Sequence, residues 1–85
     1  MARASRRYTT GLMERLDRTV PNTPGRVWHL EEGSVTYGRW WRVCEREIDT
    51  GALYSDIAAG RTESDMQATL GAFLNGYSYH DRTPR

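Results

Sequence analysis

Residues 35–57, VTYGRWWRVCEREIDTGALYSDI, carry the pattern that decides the fold. The segment Val35–Ile48 is rich in β-branched and aromatic residues, which favours a long strand. Asp49-Thr50-Gly51 then predicts a tight hairpin turn, because glycine accepts the positive φ that such turns require. Ala52–Ile57 follows as the returning strand. The stretch therefore predicts an antiparallel hairpin.

Side chains alternate between the two faces of a strand, so the long segment also predicts which face is buried. The odd positions are mostly apolar and predict the core face: Val35, Tyr37, Trp41 and Val43. The even positions predict a half-exposed face rich in arginine: Trp40, Arg42, Cys44 and Arg46. Gly38 interrupts this alternation, which indicates a bulge.

The segments before this hairpin predict a short helix and a short strand. Residues 10–20 predict a helix that Pro21 ends. Four apolar side chains fall on one of its faces: Leu12, Met13, Leu16 and Val20. Val27–Leu30 is typical of a short strand. The following Glu31–Ser34, with its glycine, predicts a turn into the long strand.

The last element predicted is a helix. Thr62-x-x-Asp65 is a capping box that marks its start, and Ala58–Arg61 is interpreted as a linker before it. Asn75-Gly76 predicts its end. Its apolar side chains recur at helical spacing: Met66, Leu70, Phe73, Leu74 and Tyr77.

These elements predict an α+β fold, a three-stranded antiparallel β-meander packed by a C-terminal helix, with a short N-terminal helix. The 85 residues suffice for one domain. We expect a flexible basic arm at 1–8, a single α+β domain at 9–77 and a loose tail at 78–85.

Composition bounds the class of protein. The net charge is +1, so no global field selects nucleic acid, membrane or an acidic substrate. One cysteine excludes an internal disulfide, and no apolar run suggests a signal peptide or a membrane span. We therefore expect a cytoplasmic protein without a membrane partner. All 12 basic residues are arginine, which indicates either a G+C-rich genome or selection against lysine.

No group of residues predicts catalysis, a cofactor or a metal site. His29 and Cys44 could meet on neighbouring strands as base and nucleophile, but no third group orients them. The metal candidates are His29, Cys44, His80 and Asp81. Only His80 and Asp81 are spaced as a short-range ligand pair, whereas structural zinc takes four ligands with close Cys/His pairs. Residues 48–52, Ile-Asp-Thr-Gly-Ala, resemble the active-site signature of retroviral-type aspartic proteases, but a hairpin turn explains them. We expect the chain not to be an enzyme.

The aromatic and arginine residues of the meander instead predict a binding surface, because Trp, Tyr and Arg dominate interface energetics. The expected contact residues are Trp40, Arg42, Arg39, Arg46 and Tyr54. An alternative is that Trp40 packs under the N-terminal helix on the second sheet face. The sequence leaves these two interpretations open.

Two resemblances accompany this prediction. Arg39-Trp40-x-Arg42-Val43, the Asp49-Thr50-Gly51 turn and the helix capped at Thr62 resemble the βββα plan of integrase arm-binding and AP2-like domains. That resemblance implies DNA binding through the sheet. The lysine-free composition resembles, in style alone, small accessory proteins of actinobacterial phages or mobile elements, which implies binding of a host protein.

Three functions follow as expectations. The first is a non-catalytic binding module, a phage or mobile-element accessory protein that binds and modulates a host protein. The second is nucleic-acid binding by the β-sheet and by an N-terminal arm carrying Arg3, Arg6 and Arg7. The third is a phage structural or assembly subunit. The sequence does not fix the oligomeric state.

Overall fold

The computed structural model describes residues 5–35 and 38–82, and confirms the α+β class. Its elements run in the order helix, three strands, helix. They are α1 (Arg6–Thr19), β1 (Arg26–Val35), β2 (Gly38–Glu47), β3 (Leu53–Gly60) and α2 (Glu63–Arg82). The side chains of residue 35 and of residues 78–82 lie outside the description, as do residues 36–37 and both termini.

The three strands form an antiparallel sheet in sequence order, with β2 at the centre. The predicted hairpin at residues 49–51 is confirmed. The Glu47 N–H donates to the Ala52 carbonyl at 2.8 Å, and the Gly51 N–H donates to the Glu47 carbonyl at 2.9 Å. Gly51 has a φ of 76°, the left-handed conformation for which glycine is preferred.

The turn predicted at Glu31–Ser34 is wrong, because β1 continues through these residues to Val35. Gly33 lies opposite Trp40 in the ladder. A Cβ atom on Gly33 would come within 2.1 Å of the Trp40 indole, so the ring lies directly over the glycine. Gly33 therefore marks a close side-chain approach within a strand rather than a turn. Gly38, predicted as a bulge, is the first residue of β2.

Both helices pack on one face of the sheet, which holds the core. Trp41 and Val43 of β2 point into this face, as predicted, and they meet Ala58 of β3. The predicted core position Tyr37 lies outside the described residues. The helices contribute the remaining buried apolar side chains: Leu12, Leu16 and Val20 from α1, and Met66, Leu70 and Leu74 from α2.

Helix α1 begins four residues earlier than predicted. Ser5 caps it, with its Oγ accepting from the Tyr8 N–H at 3.4 Å, so Arg6 and Arg7 of the expected arm are helical. This extra turn carries Thr9, which is buried against α2. Its Oγ1 donates to Glu63 Oε2 at 2.6 Å and accepts from Gln67 Nε2 at 2.8 Å. A local polar network thus joins the first turns of the two helices.

Helix α2 starts as predicted and ends later. The Asp65 N–H donates to Thr62 Oγ1 at 3.0 Å, which confirms the cap. The predicted stop at Asn75-Gly76 is wrong, since the helix runs on to Arg82. Gly76 lies inside the helix and does not take the positive φ of a C-terminal glycine cap. Neither described helix combines the length and the apolarity needed to cross a bilayer.

The segment Ala58–Arg61, predicted as a linker, is mostly strand, because β3 extends to Gly60. Gly60 lets the start of α2 approach the sheet. A Cβ atom there would lie 2.6 Å from the Met66 backbone nitrogen and 2.6 Å from Asp65 Cβ. The backbone of α2 cannot give way as a flexible side chain could, so this position requires glycine.

We therefore expect Gly60→Ala to lower the free energy of unfolding by about 1–3 kcal/mol, the usual cost of forcing atoms into a packed region. Gly71→Ala is the matched control: it lies inside α2 with no atom within 4 Å of the added Cβ. It should raise stability by about 0.5–1 kcal/mol through helix propensity. Urea denaturation measures both, and a Gly60→Ala protein as stable as the parent would contradict this packing.

Candidate functional site

The sheet face opposite the helices is left uncovered by the described elements, and we call it the open face. Alternation along β2 places Trp40, Arg42 and Arg46 on it, since Trp41 and Val43 point to the core. The N-terminal helix therefore does not cover Trp40, and the alternative in which Trp40 packs beneath that helix is wrong. Three of the five predicted contact residues share this face.

Trp40 is half-buried although no helix covers it. Its indole lies over Gly33 on the neighbouring strand, where the missing side chain leaves room for the ring. An aromatic ring over a glycine on an edge strand is a recurrent way to shield exposed backbone. One side of the indole thus packs against the sheet, and the rest of the ring remains accessible on the open face.

Arg42 is held in the middle of this face by two carboxylates. Its Nε donates to Glu31 Oε2 at 2.9 Å, and its NH1 lies 3.3 Å from Asp56 Oδ1. The guanidinium also lies 5.7 Å from the ring centre of Trp40. Burial alone would lower the pKa of Arg42, but the bond to Glu31 and the charge of Asp56 raise it above its ordinary value. The arginine is fixed in place and its charge is compensated.

An open cleft of about 530 Å³ lies beside Trp40 at the end of β3. Small residues on β3, Ala59 and Gly60, form its floor, and Arg42 and Arg61 contribute positive charge. Trp41 and Asp56 also line it. The cleft therefore combines an aromatic wall with arginine side chains and one carboxylate, that of Asp56.

Cys44 was predicted on the half-exposed face, but it is fully buried. It lies on the open face between His29 and Asp56, its partners on the adjacent strands. Burial raises the pKa of the thiol, and the charge of Arg42 opposes this while those of Asp56 and Glu31 add to it. His29 and Cys44 lie opposite each other on adjacent strands, as the sequence suggested. The thiol is protonated and covered, which is unfavourable for a nucleophile.

Arg39, Arg46 and Tyr54 occupy different environments. Arg39 is exposed, and alternation places it on the opposite side of β2 from Trp40. Arg46 lies on the open face opposite Val27, at the far end from the cleft. Tyr54 lies under the guanidinium of Arg26, and the Arg26 Cζ atom is 3.4 Å from the centre of the Tyr54 ring. Arg39 and Tyr54 therefore do not join the surface around Trp40.

The surroundings of Tyr54 anchor the loop that follows α1. Tyr54 Oη donates to Glu47 Oε2 at 3.0 Å. Beside it, Glu45 accepts from the Thr23 N–H at 2.8 Å and from Asn22 Nδ2 at 3.2 Å, and lies 3.6 Å from Arg26. Burial alone would raise the pKa of Glu45, but these hydrogen bonds and the charge of Arg26 lower it.

The residues expected to form a nucleic-acid arm are only partly described. Arg3 lies outside the described residues. Arg7 is exposed on α1. Arg6 is bonded within the molecule: its Nε lies 3.2 Å from Glu63 Oε2, and its guanidinium lies 5.1 Å from the ring centre of Trp41. A cation already paired with a carboxylate offers less attraction to phosphate.

Among the described side chains, those of residues 5–34 and 38–77, no three of His, Cys, Asp or Glu lie close enough to hold a metal ion. The side chains of His80 and Asp81 are not among those described. Compared with protein-family models, curated proteins and solved structures, the chain matches none of them. Its function is therefore inferred from the geometry described above.

The Glu45 contacts predict a dependence of stability on pH. Because the folded-state pKa is lowered, the carboxylate stabilises the protein above the unfolded pKa, about 4.3, and loses this effect as pH falls through the folded value. At pH 7, the free energy of unfolding of Glu45→Gln should be about 1–2 kcal/mol lower than that of the parent. Urea denaturation from pH 7 to 3 should show this difference shrinking. A difference that stays constant would contradict it.

Proposed function

We propose that this chain is a non-catalytic protein-binding module whose contact surface is the open face around Trp40 and Arg42. One observation carries the proposal: a half-exposed tryptophan stands beside a fixed arginine on a sheet face that no described helix covers. Tryptophan and arginine are the residues most enriched at the energetic centres of interfaces. Their positions are set by Gly33, Glu31 and Asp56 before any partner arrives.

This preorganisation supports binding, because side chains that are already ordered lose less entropy on association. Trp40 is held by its contact with β1, and Arg42 is held by two ion pairs. The surrounding Ala59 and Gly60 add little bulk, so a partner's side chain has room beside the indole. The buried, protonated Cys44 supports a binding role over a nucleophilic one.

The charges favour a protein partner over nucleic acid. Arg42, the cation fixed beside Trp40, is compensated by Glu31 and Asp56, which leaves Arg61 as the cation of the cleft without an ion pair among the described residues. Nucleic-acid affinity depends on unpaired Lys and Arg that replace counterions. The lysine-free composition, which resembles phage and mobile-element accessory proteins, supports the narrower proposal that the partner is a host protein whose activity the chain modulates.

The test adds a bulky charge to the open face without disturbing the core. Ala59→Arg places an arginine beside the Trp40 cleft from an exposed position. Ala72→Arg makes the same change on the exposed side of α2 and is the matched control. The tagged parent and both variants are used to capture partners from a host lysate, with and without nuclease. Thermal unfolding confirms that all three are folded.

We expect Ala72→Arg to retain a captured protein and Ala59→Arg to bind it at least tenfold more weakly, which corresponds to about 1.4 kcal/mol. Equal recovery by the two variants would show that the open face is not the contact surface. Recovery lost on nuclease treatment would favour nucleic-acid binding. If light scattering gives the mass of large self-assemblies, that result would instead favour the hypothesis that the chain is an assembly subunit.

A further inference from the structure

A second surface lies along the outer edge of β1, away from Trp40. The Ile48 N–H donates to the Gly25 carbonyl at 3.0 Å, which fixes the alternation of hydrogen bonds along this strand. Counting from Gly25, odd-numbered residues of β1 direct their N–H and C=O groups toward β2. The backbone groups of Trp28, Leu30 and Glu32 therefore face outward.

In the part of the chain that the structure describes, these outward groups have no hydrogen-bond partner. The opposite edge of the sheet differs at Ala59, because Thr69 Oγ1 of α2 donates to the outward Ala59 carbonyl at 3.1 Å. An unpaired edge is a template for another extended chain. The two edges are thus unequal, and among the described residues the β1 edge is the one whose outward groups are not bonded by a helix.

Helix α1 overhangs this free edge. A cleft of about 320 Å³ lies between them, lined by Thr10, Met13, Glu14 and Asp17 of α1 and by Trp28. Trp28 is held in place because its Nε1 donates to the Val20 carbonyl at 3.0 Å. A strand added 4.7–4.9 Å beyond β1 would direct alternate side chains into this cleft.

The charges around the cleft select the occupant. Glu14 and Asp17 are exposed, and neither forms an ion pair among the described residues. Met13 and Trp28 provide the apolar part of the wall, along which the methylene stem of a basic side chain can lie. We propose that the β1 edge binds an extended peptide in which basic and apolar residues alternate, added as a fourth strand of the sheet with its basic side chains in the cleft.

A second copy of the chain suits this edge less well. The two-fold rotation that pairs β1 with its own copy keeps both α1 helices on the same face of the joined sheet. Glu14 and Asp17, which line the cleft beside this edge, would then lie on the same side of the joined sheet as those of the other copy. Like charges brought together across an interface oppose association.

The probe is an acetylated and amidated hexapeptide of alternating arginine and valine, titrated into the full chain and followed by ¹H–¹⁵N NMR. We expect shifts at Trp28, Leu30 and Glu32, and at Met13. The same peptide with glutamate in place of arginine should bind at least tenfold more weakly. Two N-methylated peptides, one methylated on every arginine and one on every valine, test the strand geometry. Only the one whose methyl groups point away from β1 should bind.

The protein variants provide the matched comparison. Glu14→Arg combined with Asp17→Arg should weaken binding at least tenfold, whereas Asp49→Arg, in the β2–β3 turn and outside the lining of this cleft, should leave it unchanged. Ala59→Arg should also leave it unchanged, so this proposal and that of the open face can fail separately.

Four results would overturn the proposal: no shifts at the β1 edge with millimolar peptide, equal binding of the acidic peptide, equal binding of both methylated peptides, or a dimer paired through β1.

Discussion

Both helices share one face of the three-stranded sheet, and the rest of the structure depends on this arrangement. Thr9 is central to it, because its hydroxyl joins Glu63 and Gln67 of α2 to the first turns of α1. Gln67 also donates to the Ser5 carbonyl at 3.0 Å. Breaking such a buried network would leave polar groups without partners, at about 1–3 kcal/mol each. Paired in this way, the helices bury Trp41 and Val43 together.

The shared face determines what the other surfaces can do. With α1 beside β1 and α2 beside β3, the sheet has one covered face, one open face and two unequal edges. The open face is ordered by its own contacts, since Trp40 lies on Gly33 and Arg42 lies between two carboxylates. Helix α2 bonds to the outer edge of β3 at Ala59, and no such bond is made to the outer edge of β1 at Leu30 among the described residues.

The sequence predicted the fold class and much of the core, because periodicity records burial. Leu12, Leu16, Met66, Leu70 and Leu74 are buried as their spacing indicated. Three of its errors fall at glycines. Gly33, Gly60 and Gly76 were interpreted as parts of a turn, a linker and a helix end, but the first two admit an indole and a helix backbone that are distant in sequence. Local patterns contain no information about such approaches.

The candidate site was predicted in part for the same reason. Alternation placed Trp40, Arg42 and Arg46 on one face, but it could not show which face the N-terminal helix covers. Alternation did not predict the full burial of Cys44, because that burial comes from neighbours on the other strands. The free β1 edge could not be predicted, since it depends on strand order and on the turn that was misplaced at residues 31–34.

Coverage of the Trp41 face by both helices, with Trp40 left accessible, can be tested in solution. The most direct measurement is ¹⁹F NMR of the chain labelled with 5-fluorotryptophan, in which Trp28, Trp40 and Trp41 are assigned by single replacement with phenylalanine. A soluble gadolinium chelate is then added. We expect the Trp40 resonance to broaden strongly while that of Trp41, 7% exposed, broadens least. A protected Trp40 with a broadened Trp41 would show that the helices cover the other face.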